Sequence, residues 1–117
     1  MDRKKTVVDF KTSASAYAEH EAKLSDQLTA YQLAHPEVEQ MALCVFVKTK
    51  EPKIEWHVSR RDPDELIEYL AKAGYVSREI AAGRFYKRPG MWCKWCDYLP
   101  VCLKDQRRIA EVLVRIG

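Results

Sequence analysis

The stretch TVVDFKTS, Thr6 to Ser13, decides how the rest of the chain is read. Its β-branched and aromatic residues favour a strand. Strand side chains alternate between faces, so Val7, Asp9 and Lys11 share one face and Val8 and Phe10 the other. One face therefore carries an acid and an amine side by side while its neighbour is apolar. Two accounts fit this pattern. A solvated ion pair on an edge strand contributes little to stability. The alternative is a metal-binding carboxylate beside a lysine that acts on a substrate.

Around this strand lies a chain of 117 residues, enough for a single domain (residues 1–117) with a modest core. A hydrophobic share of 47% against 32% charged excludes a disordered chain and describes a soluble globular one. No apolar run approaches the roughly 18 residues that span a bilayer. MDRKK leads straight into the strand rather than into the apolar core of a signal peptide, so the expected location is cytoplasmic, with no membrane partner. The net charge of +3 permits a nucleic-acid partner without requiring one. Basic residues gather at Arg3, Lys4 and Lys5, at Lys48, Lys50 and Lys53, and at Arg84, Lys87, Arg88 and Lys94, as a solvated surface also would.

Downstream of the strand, Leu24, Leu28 and Tyr31 fall at helical spacing, which predicts a helix over 23–34 that Pro36 ends. MALCVFVKTK is a continuous apolar run, expected of a strand buried on both faces. IEWHVS alternates, so residues 41–59 read as a hairpin closed by TKEPK. A strong helix follows, with Asp62 as N-cap, Pro63 in its first turn and Gly83 beyond its end. Leu66, Ile67, Leu70, Ala73 and Ile80 give it one stripe, expected to be buried. An irregular cysteine-bearing segment spans residues 84–104, and a terminal helix covers 105–117. The order β-α-β-β-α-loop-α is that of an α/β protein, bordering on α+β.

WCKWCDYLPVC sets Cys93, Cys96 and Cys102 in a C-x2-C-x5-C pattern. A C-x2-C pair can converge on one metal, and a turn at Pro100 would bring in the third sulfur. Zinc and iron–sulfur centres ordinarily take four ligands, so one is missing. Cys44 sits in the apolar run, where it reads as a small buried hydrophobe, and His57 could complete a zinc site on sequence alone. WCKWC also superficially matches a thiol–disulfide motif, but it lies near the C-terminus and opens no helix, where such a pair would need to sit.

Taken in order, VVDFKTS, QLTAY and GRFYKRPGMWCKWCDYLPVC resemble the C-terminal half of a RecB-like exonuclease of the PD-(D/E)xK nuclease superfamily, over Val7 to about Lys104. The resemblance implies a partial restriction-endonuclease-like core and a metal-dependent DNA nuclease of repair, recombination or phage type. Asp9 would ligate Mg²⁺ or Mn²⁺, hard cations that prefer carboxylate oxygen. Lys11 would position or help deprotonate the attacking water. Gln27 and Tyr31, four apart on one helix face, would contact the site or the DNA backbone; Tyr31 also suits the core, whereas Gln27 has no packing reason to be there. Tyr17, Glu19, His20 and Glu21 lie between strand and helix and could approach the site. The three cysteines would belong to an iron–sulfur cluster.

The departures matter as well. The upstream carboxylate that supplies the second metal ligand in such nucleases, the upstream histidine found in many of them and the first cysteine of the cluster have no counterpart here. The chain is therefore expected to be a fragment that binds Mg²⁺ weakly, holds a cluster poorly and cleaves DNA slowly or not at all. The missing N-terminal half or a helicase subunit would be its protein partner. The competing reading is a non-enzymatic module in which the cysteines hold zinc and basic loops contact nucleic acid or protein.

Overall fold

A computed structural model describes residues 3–113, and the last residues of the expected terminal helix, 114–117, lie outside them. The chain divides into two compact units, Met1–Ser77 and Arg78–Gly117. The first holds strand β1 (Thr6–Ser13), helices α1 (Glu21–Leu24) and α2 (Asp26–Ala34), and strands β2 (Gln40–Val47) and β3 (Lys53–Ser59). Helix α3 (Pro63–Ala81) begins in this unit and ends in the second, where a short 3-10 helix (Met91–Trp95), α4 (Leu99–Cys102) and α5 (Gln106–Val112) follow. Among the described residues no helix is long and apolar enough to cross a membrane.

The sheet runs β1-β2-β3. β1 lies parallel to β2, with Asp9 opposite Leu43 and Lys11 opposite Val45. β2 and β3 form the expected antiparallel hairpin, with Leu43 opposite His57 and Val45 opposite Glu55. One sheet face is covered: Met41, Leu43, Val45 and Val47 pack with Ala22 and Leu28, and Val7, Tyr17, Tyr31 and Val38 close around them. Asp9 and Lys11 stand on this covered face, at its β1 edge. The opposite face carries Val8, Phe10, Phe46, Ile54, Trp56 and Val58, most of them exposed. β2 is buried as its apolar run predicted, except at Phe46 on the open face.

Four local expectations are corrected. The helix expected over 23–34 is two helices, because Ser25 is extended and its hydroxyl caps Leu28 N–H of α2 at 3.3 Å. The α3 stripe is exposed apart from the half-buried Leu66, and α3 fully buries no side chain. Its caps are as read: Asp62 Oδ1 accepts from Glu65 N–H, and Glu65 Oε2 accepts from Asp62 N–H in return. At its other end Gly83, at φ 67°, lets Gly83 and Arg84 donate back to Ile80 and Glu79. In the cysteine segment, Leu99–Cys102 is a helical turn after all, since Pro100 near its start forfeits no helical hydrogen bond. The terminal helix starts at Gln106, where Asp105 caps Arg108 N–H and Lys104, at φ 56°, breaks the run from α4.

Candidate active site

Strand alternation places Asp9 and Lys11 side by side, and the parallel crossover brings α2 over them. Lys11 Nζ lies 2.8 Å from Asp9 Oδ2 and donates to Gln27 Oε1 at 2.7 Å. Gln27 Nε2 in turn donates to the Tyr31 hydroxyl at 3.0 Å, across one helical turn. Asp9, Lys11, Gln27 and Tyr31 therefore form one continuous chain of polar contacts from β1 to α2. Tyr31 also packs against the core, so its ring is fixed while its hydroxyl serves the chain.

Asp9 and Lys11 are partly shielded, at 18% and 35% side-chain exposure, so the pair is neither a free surface bridge nor fully desolvated. The Asp9 contact raises the Lys11 pKa above its ordinary value; partial burial opposes this, and the Asp9 charge, Tyr17 and Tyr31 add to it. Lys11 is thus held as an ammonium. Asp9 Oδ2 is buried and accepts no hydrogen bond, the ion pair with Lys11 being its contact.

Beside this chain the covered face holds a second polar cluster that sequence reasoning missed. Glu55 Oε2 accepts from the backbone N–H of Tyr17 at 3.1 Å and meets His57 Nε2 at 3.2 Å, while Lys53 pairs with Oε1 at 2.9 Å. Lys53, His57 and the Tyr17 N–H together lower the Glu55 carboxyl to about 2. Glu55 thereby ties the connection after β1 to the far edge of the sheet, with Tyr17 tilted against His57. Of the residues between β1 and α1, Tyr17 reaches the neighbourhood of Lys11. His57 is held by Glu55 rather than by a cysteine.

A family model described as the PD-(D/E)XK nuclease superfamily matches residues 1–103. The chain belongs to the PD-(D/E)XK nuclease superfamily. Neither a curated protein nor a solved structure matches it. Membership suggests nuclease activity, with DNA as the substrate and Mg²⁺ or Mn²⁺ as the usual cofactor. The mixed sheet with its helices is compatible with a partial restriction-endonuclease-like core.

For a PD-(D/E)XK protein the donor chemistry at Asp9 fits a hard cation, because Oδ2 is a buried carboxylate oxygen whose one contact is the Lys11 ammonium, a position a bound cation would share or take over. The cysteines do not fit a metal centre: among the described residues no group of three or more His, Cys, Asp or Glu gathers to hold an ion. Cys93, Cys96 and Cys102 are free thiols, with Cys93 Sγ accepting from Gly90 N–H. No step is therefore assigned to a cluster. Cys44 is buried, as expected.

Arg61 is the other residue the sequence concealed. At 2% exposure, its guanidinium donates to Thr29 Oγ1, Ser59 Oγ and the carbonyls of Ala22, Lys23 and Ser25. Those carbonyls lie at and just beyond the end of α1, where a cation meets the negative end of the helix. Burial lowers the Arg61 pKa, with Glu65 and Asp26 opposing. One side chain thus joins α1, α2 and β3.

Proposed function

We propose that this chain is a divalent-cation-dependent DNA nuclease of the RecB-like exonuclease type, with Asp9, Lys11, Gln27 and Tyr31 as its site. The observation that carries the reading is the unbroken contact chain through those four residues. A surface ion pair would not need an amide from another element to orient its lysine.

Asp9 would hold Mg²⁺ or Mn²⁺ through Oδ2. When bound, the cation supplies Lewis acidity, offsetting charge that grows on the phosphate and making water easier to deprotonate. Lys11, an ammonium steadied by Gln27, presents its N–H groups to a non-bridging phosphate oxygen or to the attacking water. A preorganised donor of this kind stabilises developing charge without having to reorient during the reaction. Tyr31 keeps the Gln27 amide turned so that its oxygen faces Lys11. Hydrolysis joins the water oxygen to phosphorus and breaks the bond to the sugar oxygen, which leaves with a proton.

With one carboxylate donor the cation would bind weakly, so millimolar Mn²⁺ is the appropriate starting condition. The test is degradation of end-labelled DNA with and without the cation, beside Mn²⁺ binding measured directly by spin resonance. Asp9→Ala should lose both, whereas Lys11→Ala should lose cleavage and keep Mn²⁺. Equal Mn²⁺ binding in Asp9→Ala would reject the site.

A further inference from the structure

The second unit exposes rings that folding would ordinarily cover. Phe85, Tyr86, Trp92, Trp95 and Tyr98 all lie more than half open to solvent, Trp92 at 72%, Trp95 at 63% and Tyr98 at 66%. Large exposed apolar groups gathered in one segment mark an interaction surface. Trp92 and Trp95 are tilted at 45° with centroids 5.9 Å apart, so the rings splay and do not seal one another.

A groove of about 470 Å³ opens beside them, lined by Trp95 and Tyr98 and by two cations, Lys94 and Arg108, with Val112 and Leu113 as its apolar side. Lys94 Nζ lies 4.2 Å from the centre of the Trp95 ring. Asp97 is the acid among the lining residues. Aromatic faces beside flexible cations match a ligand made of flat rings joined by anions. A purely apolar segment would offer neither cation an anion.

We propose that this groove binds single-stranded nucleic acid, stacking bases on Trp95 and Tyr98 and setting phosphates against Lys94 and Arg108. Bases in a duplex stack on one another and hide their faces, whereas a single strand can splay them onto protein rings. The proposal deepens the nuclease reading, and rests on it for the supply of nucleic acid, but it uses no residue of the Asp9–Tyr31 chain.

The test is anisotropy of a fluorescein-labelled oligothymidylate of about 10 nucleotides titrated with the full chain in EDTA, where cleavage is stopped. The expected result is saturable binding accompanied by tryptophan quenching. Trp95→Ala and Tyr98→Ala should each weaken it at least about fivefold, and Trp95→Phe should retain most of it. Lys94→Ala and Arg108→Ala should each lower the salt slope by about 0.7. No binding by the wild type, or equal binding by Trp95→Ala and Tyr98→Ala, would overturn the proposal. So would a duplex of the same sequence that binds as tightly and loses as much in Trp95→Ala. Cleavage without ring-dependent binding leaves the Asp9 site standing and removes this one; ring-dependent binding without cleavage does the reverse.

Discussion

The two faces of the sheet are built from alternate residues of the same three strands, yet they share little chemistry. The covered face carries Asp9, Lys11, Glu55, His57 and Ser59 around an apolar centre on β2. The open face carries Phe10 stacked on Phe46, with Ile54, Trp56 and Val58 beside them. Polar groups thus share the helix-covered face with the apolar core, while apolar side chains also line the open face, where a half-covered sheet ordinarily carries polar ones. The difference teaches that helix cover here serves to orient polar groups as much as to bury carbon. Each charged residue at the edges of the covered face is tied to a partner from another element or strand position: Lys11 to Gln27, Glu55 to the Tyr17 backbone.

The largest expected effect is on the polar edge itself. Lys11→Ala should lower DNA cleavage at least about 100-fold with its circular dichroism unchanged, and comparable cleavage would reduce the covered face to a scaffold. Next comes the stability of the cover. Arg61→Met should cost about 3 kcal/mol or more in urea unfolding, because it strands several buried carbonyl and hydroxyl acceptors. Leu28→Ala, in the core between α2 and the sheet, should cost about 2–5 kcal/mol.

Acid sharpens the contrast further. The folded Glu55 carboxyl lies near 2 against an ordinary value of 4.5, so its stabilisation is full above the unfolded value and fades as pH falls from 4.5 toward 2. Glu55→Gln should therefore flatten the acid limb of a stability–pH curve across that window and leave its slope above the window unchanged. The smallest effect belongs to the open face, where Ile54→Thr should shift stability by less than about 1 kcal/mol. A loss as large as that of Leu28→Ala would mean that something covers this face in solution, and the comparison would then be between two buried surfaces.

Much of this was legible in the chain. Alternation put Asp9 and Lys11 together, helical spacing paired Gln27 with Tyr31, and the hairpin and the Asp62 cap followed from local chemistry. These signals depend on residues close in sequence, whose geometry the backbone period dictates. What escaped depends on distant partners. Nothing near Arg61 reveals that the end of α1 will present carbonyls to it. Glu55 and His57 look like the outward half of an alternating strand until the Tyr17 backbone arrives to bind Glu55. Ser25 breaks a helix that periodicity carries through, because its hydroxyl caps the next turn. The α3 stripe marks an amphipathic helix correctly, but amphipathicity says which face seeks cover and not whether cover is supplied.

The parallel pairing of β1 with β2 has a consequence for time as well as for shape. β2 and β3 are joined by the short turn 48–52, so their hairpin can close on a microsecond scale. β1 can join only after the whole crossover 14–39 has folded back, a longer closure that carries more entropy. Asp9 and Lys11 are therefore expected to take their places last and, on a strand at the edge of this sheet, to leave first. Deuterium should enter the amides of β1 before those of β2, and mild denaturant should abolish the proposed cleavage before the hairpin melts.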